Sequence, residues 1–286
     1  MPTGDHVLKD IRDWKDVVKF PDLEAIDWEQ AAYYDLHVDG AAKLNGNKDK
    51  MLDNGATFMD GDKLGVGMIP NGMFERLHAL MGFDNALVAI MTEPEACYEF
   101  FSAVADWKIE FIKKIKQYYP IEVINAHDDY AYTKGPFMSL NLWRELIKPN
   151  LQKIVDATHD LGLIYQHHSC GRIGQFIPEF VEMGIDAVDS FQGNCNPDLK
   201  ELKDKYGKQI TFVGGLNSVE VYDRKEATFD EYVAEYKRVT DILAPGGSYI
   251  AFPGVLNAGA MPAILATHFS YAVPFYNGMG EKKKVI

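Results

Sequence analysis

The sequence has few cysteines, no long apolar run and no recognisable leader. Three cysteines in 286 residues are too few, and odd in number, for a disulfide framework, so each is a plain buried thiol or a metal-binding or reactive one. No stretch approaches the roughly 18 consecutive apolar residues of a membrane span. The opening MPTGDHVLKDIRDWKD lacks the apolar region of a signal peptide and the arginines of a transit peptide. We therefore expect a cytoplasmic protein without membrane association.

Positive charge is also scarce. The chain has 29 basic and 42 acidic residues, a formal net charge of −13. This balance repels phosphate backbones, so we expect no nucleic-acid partner. The sequence contains only six arginines. Because polycarboxylate substrates are usually held by paired N–H groups of arginine, their scarcity disfavours such substrates.

From about residue 65, short apolar runs alternate with long amphipathic segments, a pattern typical of βα units in a parallel sheet or barrel. Strands are predicted at Gly65–Pro70, Ile121–Ala126, Leu163–His168, Ala187–Gln192, Ile210–Gly215 and Ser248–Pro253. Helices are predicted from a capping box at Thr92–Glu95 to Pro120, from Ser139 to Gly162 with a kink at Pro149, and over Arg172–Met183, Pro197–Tyr206, Phe229–Leu243 and Met261–Phe275.

The length favours one domain over residues 1–286, with an α/β fold of the (β/α)₈ TIM-barrel type. Residues 1–64 form an irregular N-terminal segment, with a helix predicted around Trp28 to Leu44 and a glycine- and asparagine-rich loop after it. Since a closed barrel needs eight strands, two are missing from the prediction. Either the count is low, the barrel is open, or another chain completes it; a second copy in that place would make the protein a homo-oligomer.

The segment LIYQHHSCGR, Leu163 to Arg172, ends a predicted strand with a candidate metal site. His168 and Cys170 are two residues apart in extended chain, so their side chains lie on the same side. Imidazole and thiolate together suit Zn²⁺, but a catalytic zinc site needs a third protein ligand. The alternative is a hydrogen-bonded histidine beside an inert thiol. His167 is expected to point the other way and to be structural.

A second candidate site follows another predicted strand, at His127, Asp128, Asp129 and Tyr130. Adjacent carboxylates face opposite ways, so at most one of them should lie in a pocket, as a general acid or base or as a cation ligand. The alternative is that one of them caps the following turn. The neutral hydrogen-bonding residues at the ends of the other strands would suit substrate positioning; they are Asn71, Gln192, Asn194 and Asn217.

Several ordered stretches together resemble the uroporphyrinogen decarboxylase superfamily over about residues 65 to 280. They are HDDYAYTKGPFMSLNLWRELIKPNLQKIVDATHDLGL, HHSCGRIGQFIPEFVEMGIDAVDSFQG, NPDLKELKDKYGKQITFVGG and ILAPGGSYIAFPG. The resemblance implies a (β/α)₈ barrel. Members of the superfamily include the decarboxylase itself, zinc-dependent methylcobamide:coenzyme M methyltransferases, and methyltransferases of corrinoid-dependent O-demethylases.

The resemblance also implies roles for individual residues. His168 and Cys170 match the His-X-Cys pair that holds zinc in the zinc-dependent members, and Asp128 matches an acidic residue that faces the substrate in the decarboxylase. The third zinc ligand of that design is a cysteine in a loop that here reads LAPGGS, Leu243 to Ser248, without a cysteine. Asp128, Asp129 and Cys195 are the nearest remaining candidates by motif position. The first two family strands and the arginine-containing N-terminal signature are not matched.

The expected function is methyl transfer between a small O-, N- or S-methyl compound and a cobalamin held by a separate corrinoid protein. Zinc at His168 and Cys170 would act as a Lewis acid, and Asp128 or His127 would handle the proton. The substrate-binding candidates are Asn71, Tyr130, Gln192 and Asn217. The alternatives are a decarboxylase of a porphyrinogen or smaller carboxylate, and a non-catalytic partner subunit.

Overall fold

The computed structural model describes residues 6–28, 64–119 and 121–274. Six strands form one sheet: Val66–Ile69 (β1), Val123–His127 (β2), Ile164–His168 (β5), Ala187–Asp189 (β6), Thr211–Val213 (β7) and Tyr249–Ile250 (β8). Their order is β1-β2-β5-β6-β7-β8, with parallel neighbours. A separate antiparallel hairpin joins Ala131–Tyr132 (β3) to Gly135–Pro136 (β4). The predicted α/β class and all six predicted strands are confirmed.

The strands were predictable because each is a short, mostly apolar run, and the central strands are buried. In β2, for example, the first four of five residues are buried, as expected for a parallel strand with both faces covered. The residues that the structure describes supply six of the eight strands of a TIM barrel. The predicted loop after Leu44, and the predicted helix around Trp28 to Leu44 beyond its first residue, lie outside the described residues.

Ten α-helices lie in the described residues. They are Trp14–Val17 (α1), Met73–Met81 (α2), Phe83–Thr92 (α3), Pro94–Tyr118 (α4), Leu140–Leu146 (α5), Lys148–Asp160 (α6), Ile177–Glu182 (α7), Leu199–Tyr206 (α8), Phe229–Leu243 (α9) and Met261–Thr267 (α10). Short 3₁₀ segments occur at Ile11–Asp13, Leu23–Ala25, Gly174–Phe176 and Ala258–Ala260, and π-helical turns at Ser218–Tyr222 and His268–Ala272. None of the described helices is both long and apolar enough to cross a membrane.

Two helix predictions need correction. The predicted capping box at Thr92 is wrong, since Glu93 is the N-cap of α4 and Pro94 lies in the first turn of that helix. The first turn suits proline because the backbone N–H that proline lacks would have no partner within the helix there. The Thr92 hydroxyl instead donates to the Val88 carbonyl within α3, at 3.0 Å. Helices α2 and α3, separated at Gly82, were not predicted. Near the kink predicted at Pro149, a single residue in helical conformation, Ile147, separates α5 from α6, and Pro149 lies in the first turn of α6.

The chain divides into two compact units. Unit 1 comprises Met1–Asp128 and Asn141–Tyr165, and unit 2 comprises Asp129–Leu140 and Gln166–Ile286. The prediction of one domain over residues 1–286 stays a prediction. Both units contain strands of the sheet and helices that cover them.

In unit 1, α4 is the central helix. It buries Phe100, Phe101 and Ile112 completely, and burying each such side chain contributes about 1.5–3 kcal/mol. The N-terminal segment packs against this helix, with Trp14 in edge contact with Phe100 and the Trp107 indole donating to the Pro21 carbonyl. The first described residues are therefore part of the core of unit 1.

In unit 2, strands β6 and β7 form the centre. Val188 and Phe212 are fully buried, and Phe212 packs on Phe191 with ring centroids 4.7 Å apart. Helix α9 begins at a capping box, in which the Thr228 hydroxyl accepts from the Glu231 N–H and the Glu231 carboxylate accepts from the Thr228 N–H. The sheet of this unit positions the candidate site.

Candidate metal centre

Strand β5 presents its two histidines to opposite faces. Along β5, burial alternates between exposed or half-buried residues and buried ones, because successive side chains of a strand point to opposite faces. His167 is 1% exposed and packs against the Tyr130 and Phe180 rings, with centroids 5.4 and 4.9 Å away. His168 lies on the other face and is half-buried. The two histidines therefore have the separate positions expected from the sequence.

Three candidate ligands converge in unit 2. The ligand atoms of Asp129, His168 and Cys170 all lie within 4.8 Å of one another. The Cys170 Sγ is 3.5 Å from the His168 Nε2, and one carboxylate oxygen of Asp129 accepts from the Cys170 N–H at 2.6 Å. All three side chains are half-buried. The structure thus brings one of the three proposed third ligands, Asp129, to the His-X-Cys pair.

The donor set and spacing fit a zinc ion. Oxygen, nitrogen and sulfur are the ligand atoms that zinc takes in proteins, at about 2.0–2.3 Å. For a tetrahedral site with such bonds, the nitrogen and sulfur ligands are about 3.5 Å apart, which is the observed distance between His168 Nε2 and Cys170 Sγ. Three protein ligands would leave the fourth position open, as in catalytic zinc sites.

His168 is held on its far side by Asp189. The Nδ1 of His168 lies 3.0 Å from the Asp189 Oδ2, and Asp189 is 4% exposed. Burial alone would lower the pKa of His168, but the hydrogen bonds with Asp189 and Cys170 outweigh it and raise the pKa to about 10. A thiol, an imidazole and a carboxylate in this order also form the pattern of an activated thiol nucleophile, so the same geometry could serve nucleophilic chemistry.

The backbone of the loop after β5 is fully engaged, since six consecutive N–H groups, residues 169–174, all donate to protein acceptors. The acceptors are the Asp189 carbonyl, the Asp129 carboxylate, the Gln192 side chain, the Tyr132 carbonyl and, for the last two residues, the Asn196 side chain. We call residues 169–174 the ligand loop. Its shape is fixed by neighbours from three other segments of unit 2.

Gln192 and Asn196 act on this loop. The Gln192 Oε1 accepts from the Gly171 N–H at 3.0 Å. Asn196 is fully buried and also donates to the carbonyls of Gly171 and Gln192. The Gln192 amide oxygen, predicted to contact substrate, is thus engaged with the protein; substrate binding by Gln192 stays a prediction.

Cys195 is another of the proposed third ligands. It is 2% exposed, and its thiol lies 3.7 Å from the Gln192 Oε1. Burial, with a smaller contribution from Cys170, raises the pKa of the Cys195 thiol, which disfavours the thiolate that a metal requires. The described ligand groups around His168 and Cys170 contain Asp129 but not Cys195. The geometry therefore favours Asp129.

Tyr130 and Asn217 also lie in unit 2. The Tyr130 ring is fully buried and stacks on His167. Asn217 is the N-cap of the turn Ser218–Tyr222, where its Oδ1 accepts from the Glu220 N–H at 3.0 Å, and its own N–H donates to Glu235. These positions give both residues structural contacts, and their predicted substrate contacts stay predictions.

Three further predicted residues belong to unit 1. Asn71 is exposed and follows β1 with a φ of 56°. His127 is the half-buried last residue of β2. Asp128 is 2% exposed and accepts from the N–H groups of Met73, Phe74 and Glu75, at 2.9, 3.2 and 2.9 Å.

Asp128 therefore caps the N-terminus of α2, a helix earlier in the chain, whereas the alternative interpretation of the sequence had one carboxylate cap the following turn. Negative charge is favourable at this end of a helix. The close approach depends on Gly72, since a Cβ at that position would lie 2.1 Å from the Asp128 Cβ. The catalytic roles predicted for Asp128 and His127 stay predictions.

The loop from Leu243 to Ser248, which the sequence shows to have no cysteine, is bound by a lysine. Lys203, on α8, donates to the carbonyls of Gly247 and Ser248. Gly246 and Gly247 both have a φ of 81°, a conformation that glycine adopts without strain. This loop has neither a thiol nor a carboxylate, so the third ligand has to come from another segment.

Two supporting residues were missed in the sequence. Asp189 was included in a predicted strand that ran on to Gln192, and its pairing with His168 depends on the register between β5 and β6. Asn196 stands in a short polar loop where no local pattern marks it as buried. The one indication in the sequence was the cluster of side-chain amides at Gln192, Asn194 and Asn196. A sequence does not show which of these amides faces the ligand loop.

Similarity to solved structures is remote. A dihydropteroate synthase from Anaplasma phagocytophilum with bound 6-hydroxymethylpterin-monophosphate matches at 16% identity and a TM-score of 0.41, over 77% of this chain and 75% of that one. An uncharacterized protein matches at 14% identity and a TM-score of 0.26, over 62% and 36% of the two chains. Neither likeness is close enough to bear on function. No curated protein matches the chain.

A family model gives the decisive comparison. The model described as uroporphyrinogen decarboxylase (URO-D) matches residues 71–262, which is more than half of the chain. The matched range includes Asp129, His168, Cys170 and Asp189, and it runs from the loop after β1 into α10. This chain belongs to the uroporphyrinogen decarboxylase family.

Proposed function

We propose that the chain is a corrinoid-linked methyltransferase, moving a methyl group between a small O-, N- or S-methyl compound and a cobalamin carried by a partner protein. Members of the family are enzymes, and they include both methyltransferases and decarboxylases. The observation that carries the proposal is the convergence of Asp129, His168 and Cys170 within 4.8 Å. These three residues would hold a zinc ion, which supplies Lewis-acid activation of the substrate heteroatom.

The arginines favour this function over decarboxylation of a polycarboxylate. Unit 2 has three arginines, and two of them are paired with glutamates of their own unit: Arg224 with Glu231, and Arg238 with Glu235. The Arg238 guanidinium donates twice to its partner, at 2.7 and 2.9 Å. Guanidinium groups engaged in this way are not available to bind several substrate carboxylates.

Metal analysis tests the proposed site. Purified wild-type protein should contain stoichiometric zinc, and Cys170→Ser and Asp129→Asn should each lose most of it because each removes one of three ligands. Cys195→Ser is the matched control, since it makes the same chemical change at a buried cysteine outside the ligand group, and it should keep its zinc. Equal metal content in the wild type and Cys170→Ser would exclude the site.

A second experiment tests the reaction. The protein is mixed with a methylated corrinoid protein or with the reduced corrinoid protein and a methyl donor, and the cobalt absorption spectrum is followed. Methyl transfer should change the cobalt spectrum in the wild type and not in Cys170→Ser. Turnover of uroporphyrinogen to coproporphyrinogen, with no spectral change for any methyl donor, would establish the decarboxylase instead.

A further inference from the structure

Asp189 occupies a defined place behind the candidate metal centre. It is the last residue of β6, directly opposite His168 in the register of β5 and β6. Its Oδ2 lies 3.0 Å from the His168 Nδ1, and its backbone carbonyl accepts from the Ser169 N–H at 2.7 Å. Both its side chain and its backbone therefore contact the segment that carries the ligands.

The carboxylate decides which ring nitrogen carries a proton. In a hydrogen bond between an imidazole N–H and a carboxylate oxygen the ring nitrogen is the donor, so the contact with Asp189 favours a proton on the Nδ1 of His168. When the Nδ1 keeps its proton, the lone pair of a neutral imidazole is on the Nε2. The Nε2 is the nitrogen that faces Cys170, at 3.5 Å from its Sγ. The hydrogen bond thus directs the metal-binding nitrogen toward the other ligands.

Asp189 and Cys170 contact different nitrogens of the His168 ring. The two ring nitrogens lie on different edges of the imidazole, and Asp189 contacts the edge away from Cys170. Its 4% exposure means that the carboxylate is desolvated, and a buried carboxylate requires a hydrogen-bonding partner. His168 supplies that partner, so the two side chains fix each other.

We propose that Asp189 is a positioning residue of the candidate metal centre, which fixes the tautomer and the ring orientation of His168 for metal binding. The inference rests on the proposed function for its metal, but the hydrogen bond itself can be observed without one. Carboxylates that hold metal-binding histidines in this way typically contribute 10- to 100-fold in metal affinity.

The variant Asp189→Asn tests this role because it keeps the shape and removes the charge. Its zinc affinity, measured by competition with a chromophoric chelator, should fall by about 10- to 100-fold. Asp204→Asn is the matched control, since Asp204 is exposed on α8 and pairs with Lys200, and its zinc affinity should equal that of the wild type. Unchanged affinity in Asp189→Asn would overturn the inference.

A second measurement uses the metal-free wild type and does not depend on the folding of any variant. Nitrogen-15 NMR of His168 should show a protonated Nδ1 with the chemical shift of a nitrogen that is hydrogen-bonded to a carboxylate. An unprotonated Nδ1, or one with the shift of a solvent-exposed N–H, would overturn the inference directly. If the wild type binds no zinc, the proposed function fails as well, whereas a zinc-binding wild type with an unaffected Asp189→Asn contradicts only the role of Asp189.

Discussion

Asp128 and Asp129 are neighbours in the chain with different surroundings. Asp128 accepts three backbone N–H groups at the start of α2, whereas Asp129 accepts from the Cys170 N–H beside His168. The sequence predicts that the two point in opposite directions, but it does not predict which one joins the ligands. That choice depends on Gly72, whose missing side chain leaves room for Asp128.

At the residue scale, Asp128→Asn should destabilise the protein. The amide nitrogen would face at least one N–H donor, and hydrogen bonds to a charged acceptor contribute about 1.5–3 kcal/mol. We expect the free energy of unfolding in urea to fall by about 1–3 kcal/mol. Asp84→Asn, an exposed position in the first turn of α3, is the control. Unchanged stability together with lost methyl transfer would instead assign Asp128 to catalysis.

At the element scale, the strands were easier to predict than the helix ends. Each strand is a short apolar run, and that signal is local. The start of α4 was misplaced by one residue because a proline in the first turn moves the N-cap to Glu93. The contacts of Asn196 and Asp189 join different loops and strands. They depend on three-dimensional packing between distant parts of the sequence, so the local pattern of a single element does not predict them.

Substitution of Gly171 by alanine tests how closely the ligand loop packs on the β3–β4 hairpin. Its φ is 83°, and a Cβ there would lie 2.5 Å from the Ala131 carbonyl oxygen. Gly162 also has a positive φ, 69°, but nothing lies within 4 Å of its Cβ position. Alanine at either position should lower the free energy of unfolding by about 1–2 kcal/mol because of backbone strain. The decrease should be larger for Gly171→Ala, because its Cβ would also clash with the Ala131 carbonyl oxygen.

Urea unfolding of the two alanine variants measures the difference. Zinc content gives a second readout, since Gly171→Ala should displace the ligand loop and lower it, while Gly162→Ala should leave it unchanged. If both variants lose the same stability and both keep their zinc, the close packing at Gly171 has no energetic consequence.

At the scale of the whole molecule, one buried lysine should shape the pH dependence of stability. Lys108 is 5% exposed and donates to the Pro70 carbonyl. Burial lowers its pKa from 10.5 to about 8, and the nearby Asp128 only partly opposes this. Between these two values the unfolded chain binds more protons than the folded protein, so the contribution of Lys108 to stability rises with pH.

Lys108→Met removes this titration. The difference in unfolding free energy, wild type minus Lys108→Met, should increase by about 3 kcal/mol in total between the folded and unfolded pKa values. Urea unfolding at a series of pH values in that window measures it, and subtracting the variant cancels the other titrating groups. A difference that is constant with pH would show that Lys108 has an ordinary pKa in the folded protein.

The composition and the βα rhythm of the sequence were sufficient for the fold class, and the His-X-Cys pair located two of the three candidate ligands. The arrangement of the rest depends on long-range contacts such as the one between Asp129 and Cys170, which are 41 residues apart in the chain. Local patterns constrain the elements, whereas the site is built from the ends of several of them.

The six engaged N–H groups of the ligand loop have a thermodynamic consequence. A flexible loop has to lose conformational entropy when it closes around an ion, at about 1–2 kcal/mol for each residue that becomes fixed. Here that ordering has already occurred during folding, so ion binding would carry little entropic penalty from the backbone. Preorganisation of this kind favours affinity and keeps the ligand geometry similar in the free and bound protein.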